Sequence, residues 1–169
     1  MSLLRAGALP SPTSDVGPLE PASCKARLER ARLQFNLMWT FLSFACMGVI
    51  FFFSGRPEGI GVPIPAPWDK LAHLLEYLVL GYLLTRATGR PNLAWVLAAW
   101  FGALDEVHQS FVPGREAGVP DWWANLLGAL IGSRLAGWRL SRGARARRAL
   151  LEASRDEREK EAAQTRVSR

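Results

Sequence analysis

Apolar residues along this chain are concentrated in four segments, and charged residues lie mainly between and beyond them. Gly/Pro-rich stretches separate segments at residues 35–54, 68–87, 91–111 and 121–138. Each meets the requirement of roughly 17–25 predominantly apolar residues for a helix that crosses a bilayer. The pattern therefore predicts an all-α integral membrane bundle of four transmembrane helices. A polar, basic tail expected to be disordered precedes it at residues 1–33, and a charged tail follows at residues 139–169.

The Lys and Arg residues are distributed unevenly around these segments. The chain has 21 of them and a net charge of +6. Most precede the first segment, lie between the second and third, or end and follow the fourth, and only Arg56, Lys70 and Arg115 belong to the opposite side. Because cytoplasmic flanks of membrane helices carry an excess of Lys and Arg, we place both termini in the cytoplasm. This asymmetry explains the basic character of the chain, so no nucleic-acid partner is expected. The Glu/Arg spacing after residue 140 favours a solvated helix.

Polar residues interrupt the apolar segments at one end of the predicted bundle. They open the second segment, close the third, follow it in a loop and open the fourth. The residues that share this location are Asp69, Lys70, His73, Asp105, Glu106, His108, Gln109, Arg115, Asp121 and Asn125. With the orientation above, they fall within roughly 10 Å of the external membrane boundary. Ionisable residues inside spans are costly and indicate function by default, so we predict one polar site there.

Helical spacing assigns structural roles to part of this set. Asp69 and Tyr77 lie on one face of the second segment, and Gly128 and Gly132 continue the face of the fourth that begins with Asp121. Carboxylates near helix starts interact with free N–H groups and with the positive end of the helix dipole. A Gly-x-x-x-Gly pair lets another helix approach closely. These five residues are therefore expected to hold the bundle together.

The remaining polar residues allow several chemistries. Glu106 and His108 are candidate acid/base residues, with Asp105 orienting them. His73, His108 and Asp105 are also candidate ligands for a divalent metal such as Zn²⁺ or Mn²⁺. The candidate contacts to an anion or a head group are Lys70, Arg115, Gln109 and Asn125. The alternative is that these groups satisfy one another and only fix the helix arrangement.

Four motifs occur in order and carry a resemblance to a known family. They are Asp69-Lys70-x-x-His73-x-x-x-Tyr77, Asp105-Glu106-x-His108-Gln109, Phe111-x-Pro113-Gly114-Arg115 and Asp121-x-x-x-Asn125-x-x-Gly128-x-x-x-Gly132. In these motifs the chain resembles the VanZ-like family of small integral membrane proteins. The resemblance implies a VanZ-like transmembrane domain at residues 34–138 in a multi-pass protein of the bacterial inner (plasma) membrane.

The function that the resemblance implies lies in the cell envelope. It includes resistance to the glycopeptide teicoplanin, or the handling of envelope lipids or cell-wall precursors. One alternative is a membrane-embedded metal- or acid/base-dependent enzyme acting on a lipid-linked or phosphate-bearing substrate. Another is a non-catalytic protein that binds lipid or drug. The expected partners are the bilayer and an anionic lipid, a cell-wall precursor or a glycopeptide antibiotic, and the residues assign no oligomeric state.

Overall fold

Four α-helices make up the described part of the chain, which comprises residues 21–56, 68–115 and 118–168 of a computed structural model. They are α1 (Pro21–Ser54), α2 (Trp68–Thr88), α3 (Pro91–Gln109) and α4 (Val119–Val167). No β-strand occurs among these residues. The all-α prediction is therefore confirmed, while residues 1–20 of the predicted tail lie outside the described residues.

The two terminal helices extend beyond the predicted segments. α1 begins at Pro21, so residues 21–33 are helical and the prediction of a disordered tail is corrected there. This stretch is rich in Ala, Arg and Leu, which are strong helix formers. At the other end α4 continues to Val167, and its residues from 142 to 166 are exposed, as expected for a solvated helix. Residues 34–169 form one compact unit.

Glycine and proline set the turn between α2 and α3. Gly89 follows the last residue of α2 with a φ of 67°, in the left-handed region that glycine adopts without a steric penalty. Its N–H donates to the carbonyl of Thr85 at 2.8 Å. Pro91 then occupies the first position of α3, where its missing N–H costs nothing. The turn brings α3 back alongside α2.

Glycines allow α2 and α4 to pack backbone to backbone. A Cβ on Gly128 would collide with the carbonyl oxygen of Leu74, and a Cβ on Gly132 would collide with that of Leu78. From the other side, a Cβ on Gly81 would meet the carbonyl of Ala129. At Gly128 and Gly132, α2 is therefore the helix that approaches α4.

The bundle carries its large apolar side chains on the outside. One segment of the described helices, Leu33–Ser54, is long and apolar enough to cross a membrane, with a mean hydropathy of 1.9. The buried core of α2, α3 and α4 uses Tyr77, Leu80, Ala98 and Ala129. Bulkier residues face outward instead; the ring of Trp100 in α3 is 67% exposed. This distribution places a small-residue and polar interior inside an apolar surface.

Candidate functional site

A buried triad joins the last residue of α1 to the end of α3. The Ser54 hydroxyl donates to Asp105 Oδ2 at 2.9 Å. Gln109 Nε2 donates to the same carboxylate oxygen at 3.1 Å and to Ser54 Oγ at 3.2 Å. Asp105 is only 1% exposed, so these donors supply the hydrogen bonds that a buried carboxylate needs. The triad defines one end of the bundle, where α1 and α3 end and α2 and α4 begin, and which we call the polar end.

Glu106 joins α3 to the start of α4. Its Oε1 accepts a hydrogen bond from Asn125 Nδ2, and its Oε2 accepts one from the backbone N–H of Gly118, both at 3.2 Å. Asn125 is fully buried, so its amide is a rigid donor. Because each carboxylate oxygen has its own donor on α4, the orientation of the carboxylate is fixed.

Lys70 joins the start of α2 to the start of α4. Its ammonium donates to Asp121 Oδ1 at 2.8 Å and to Asp69 Oδ2 at 3.1 Å. Gly118 occupies the N-cap position of α4, with no side-chain hydrogen bond, and Asp121 lies in the first turn. Asp121 thus acts as a bridge to Lys70, and a head-group contact from Lys70 stays a prediction.

Arg115 holds the loop after α3 against the end of α1. Its Nη2 donates to the carbonyl of Phe53 at 2.9 Å, and its Nε donates to that of Arg56 at 3.4 Å. The last carbonyls of a helix lack partners within the helix, and Arg115 supplies one. Among the described residues it forms no ion pair with a carboxylate, and its predicted contact with an anion or a head group stays a prediction.

The two histidines have different surroundings. The His108 ring stacks on Phe51 of α1, with ring centroids 4.1 Å apart and an angle of 18° between the planes. His73 lies in α2, and its buried Nδ1 has no hydrogen-bond partner among the described residues. No group of three or more His, Cys, Asp or Glu side chains within residues 21–56, 68–115 and 118–168 is placed to hold a metal ion. The geometry therefore gives no support to a Zn²⁺ or Mn²⁺ site built from His73, His108 and Asp105.

Three polar atoms beneath the polar end are buried without a hydrogen-bond partner from the described residues. They are the Tyr77 hydroxyl, Asp105 Oδ1 and Asn125 Oδ1. Tyr77 lies beside Asp105, and the absence of a side chain at Gly102 admits its ring: a Cβ there would lie 3.1 Å from Tyr77 Cε1 and 3.3 Å from Asn125 Cβ. Buried polar atoms usually have partners, and two of these three are acceptors. The Tyr77 hydroxyl, which can donate, lies beside the Asp105 carboxylate, which can accept.

A pocket of about 330 Å³ opens between the end of α3 and the start of α4. Most of its lining is apolar, and Glu106 is the one ionisable residue among the described residues that line it. The residues that line it are Ala103, Glu106, Val107, Ser110, Gly118, Val119 and Trp122. The indole N–H of Trp122 is buried and has no acceptor in the described part of the chain. An apolar pocket with a few fixed polar groups is typical of a site for a small molecule or an amphiphile.

The structure brings most of the predicted polar residues to one end, but in separate groups. Asp105 and Gln109 belong to the triad, Glu106 and Asn125 to the pocket wall, and Asp69, Lys70 and Asp121 to the ion-paired bridge. Ser54 was missed by the sequence analysis. Its signal is its position as a hydroxyl residue that ends the apolar segment at residues 35–54, where the apolar pattern predicts only an anchor.

Comparison with known proteins identifies the family. A family model described as VanZ/LLP1 matches residues 26–140, which include the polar end and the helices that build it. Searches of curated proteins and of solved structures give no significant match. Because the family model covers well over half of the chain, the chain belongs to the VanZ/LLP1 family.

Proposed function

We propose that this chain is a multi-pass protein of the bacterial inner membrane that binds the head group of an envelope lipid or cell-wall precursor at its external face. The observation that carries the proposal is the fixed carboxylate of Glu106 in the wall of an apolar pocket. Such a pocket accommodates an amphiphile, with the polar group at the carboxylate and the hydrocarbon against the apolar lining.

The exposed apolar surface supports placement of the bundle in a bilayer. Phe41 is 72% exposed, Leu75 51% and Leu127 49%, on α1, α2 and α4 respectively. An apolar surface of this extent is unusual for a soluble monomer and typical of a surface that contacts lipid. Together with the Lys/Arg asymmetry, it favours four spans with both termini in the cytoplasm.

The chemistry of Glu106 limits the ligand. An ionised carboxylate is only an acceptor, and each of its oxygens retains a free lone pair beyond the one donor that α4 provides. The ligand must therefore present a hydroxyl or an N–H group to Glu106. Sugar-bearing or amine-bearing head groups of lipid-linked precursors have such donors, and so does a glycopeptide. A contribution to teicoplanin resistance is the phenotype that we expect from this binding.

Lipid retention in the purified full-length chain tests the proposal. Glu106→Gln keeps the shape of the side chain but replaces one acceptor oxygen by an N–H₂ donor. That donor then faces another donor, either the Asn125 amide or the Gly118 N–H. Loss of a hydrogen bond to a charged group costs about 1.5–3 kcal/mol, so retention of the co-purified ligand should fall roughly tenfold or more. The measurement is native mass spectrometry of protein from envelope membranes.

Glu152→Gln is the matched control, because Glu152 is exposed on the solvated part of α4. It removes the same charge and should leave both retention and teicoplanin susceptibility at the wild-type level. Equal retention by the wild type and the Glu106→Gln variant would contradict the proposed site. Equal teicoplanin susceptibility of strains with the wild-type and Glu106→Gln genes would separate the site from the resistance phenotype.

An acid/base enzyme is a second candidate, and the position of His73 favours it. Glu106 and His73 both belong to the polar end, and His73 Nδ1 has no hydrogen-bond partner among the described residues. A carboxylate and an imidazole that face one substrate can pass a proton to and from it. Incubation with membrane lipid extract separates the candidates. Conversion of a lipid that disappears with His73→Ala supports the enzyme, and recovery of every lipid unchanged supports binding alone.

A further inference from the structure

A second group of interacting side chains lies at the opposite end of the bundle. Arg86, in the last turn of α2, places its guanidinium 4.6 Å from the ring centroid of Trp39 and 5.4 Å from that of Phe35. Trp39 also packs edge-on against Tyr82, with centroids 6.5 Å apart. The guanidinium of Arg139 in α4 lies 6.0 Å from the centroid of Tyr82. We call these five residues the aromatic–arginine cluster.

The cluster is one helix length away from the polar end. Lys70 and Arg86 are separated by sixteen residues of α2, or about 24 Å at 1.5 Å per residue. Asp121 and Arg139 are separated by eighteen residues of α4, or about 27 Å. Both distances approach the thickness of a bilayer hydrocarbon core, about 30 Å. The two groups of side chains therefore fit opposite interfaces of one membrane.

Two donors of the cluster are buried without an acceptor. Arg86 Nε and Trp39 Nε1 have no hydrogen-bond partner within the described residues. Neither Arg86 nor Arg139 forms a salt bridge in that part of the chain. Guanidinium and indole groups only donate, and among the described residues neither of these two atoms reaches an acceptor. An anion with several acceptor oxygens would satisfy both.

We propose that the aromatic–arginine cluster binds the phosphate of an anionic phospholipid in the leaflet opposite the polar end. The guanidinium of Arg86 lies against two aromatic rings, and its planar fork of N–H groups suits bidentate contact with phosphate oxygens. Trp39 Nε1 supplies a further donor to the same group. Met38 and Leu42, both exposed on the same helix as Trp39, offer apolar surface to the acyl chains. A lipid therefore fits both the charge and the surroundings of the cluster.

The test uses the full-length chain in nanodiscs of phosphatidylcholine that contain a trace of phosphatidylglycerol. Native mass spectrometry counts the lipid molecules that stay bound. Arg86→Ala should lower retention of phosphatidylglycerol roughly tenfold or more, because it removes a charge-assisted hydrogen-bond donor. Arg145→Ala removes the same charge from the exposed part of α4 and should change retention less than about twofold, as expected for a screened surface charge. Equal losses from the two variants would show a general charge effect and overturn the site.

Two conservative variants keep the test informative if Arg86→Ala fails to fold. Arg86→Lys retains the charge but not the planar fork, and Trp39→Phe retains an aromatic face but not the indole N–H. Each variant should reduce retention of phosphatidylglycerol several-fold while the protein remains monodisperse. Retention at the wild-type level by both variants would overturn the proposed geometry. The inference shares with the proposed function only the placement in a bilayer. Arg86→Ala should leave the ligand at Glu106 in place, so the two proposals can fail separately.

Discussion

The contact between α2 and α4 depends on the absence of a side chain at Gly132. A methyl group there would collide with the carbonyl oxygen of Leu78 and lie 3.0 Å from the backbone N of Tyr82. Both obstacles are backbone atoms of a continuous helix, so neither can move aside by a change of rotamer. Gly132→Ala therefore forces the two helices apart along the length that carries the core residues Tyr77 and Leu80.

The expected cost follows from two opposing effects. Overpacking of a tightly packed interior typically destabilises a protein by about 1–3 kcal/mol, and separation of two helices is at the upper end of that range. The higher helix propensity of alanine returns up to about 1 kcal/mol. A net loss of roughly 1–2 kcal/mol remains, which lowers the Tm of a chain of this size by about 2–8 °C.

Thermal unfolding in detergent, followed by tryptophan fluorescence, measures this effect. Gly143→Ala is the matched control, because it lies on the same helix and a Cβ there has nothing within 4 Å. Helix propensity alone should leave the Tm of that variant equal to or above that of the wild type. If Gly132→Ala also kept or raised the Tm, the backbone-to-backbone contact between α2 and α4 would be refuted.

The polar end gives two further predictions, both measured by the same unfolding assay. Asp105→Ala should destabilise by about 1–3 kcal/mol, because it leaves the buried donors of Ser54 and Gln109 without their acceptor. Asp105→Asn keeps an acceptor oxygen for the Ser54 and Gln109 donors and should retain most of the stability. Similar losses of stability from Asp105→Ala and Asp105→Asn would contradict the triad. Lys70→Ala should lower the Tm by less than Asp105→Ala, since the ammonium is partly exposed, and the difference from wild type should shrink in high salt. A salt-independent loss would show that the pairing of Lys70 with Asp121 is not the cause.

The convergence of polar groups was predictable from the sequence because consecutive helices joined by short turns run in opposite directions. Asp69 opens one apolar segment, Glu106 closes the next and Asn125 begins another, so antiparallel packing brings them to one end of the bundle. The close approach of another helix at Gly128 and Gly132 could also be predicted from the sequence, since small residues four apart leave a groove on one helix face.

The pairing within that end was not predictable, since it depends on side-chain geometry across helices. Spacing along α3 does not show that Asp105 accepts from Ser54 on α1, or that Arg115 turns to the carbonyl of Phe53 rather than to a carboxylate. For the same reason the structure gives no support to the predicted metal site. His108 lies three residues after Asp105 in the sequence, yet the His108 ring stacks on Phe51.

The length of α1 illustrates a further limit. The apolar pattern begins near Phe35, whereas the helix begins at Pro21. Residues 21–33 carry charge, and a pattern based on hydropathy assigns such a stretch to a tail. Helix propensity does not depend on membrane insertion, so the basic stretch continues the helix without contributing to the span.

The central claim is that the polar end fixes Glu106 in place for a ligand, and a double-mutant cycle of ligand retention tests it most directly. The variants are Glu106→Gln, Asn125→Ala and the combination, each compared with the wild type by native mass spectrometry. Because Asn125 acts through its hydrogen bond to Glu106, the double variant should lose little more retention than Glu106→Gln alone. Independent, additive losses, or full retention by Asn125→Ala, would contradict the account.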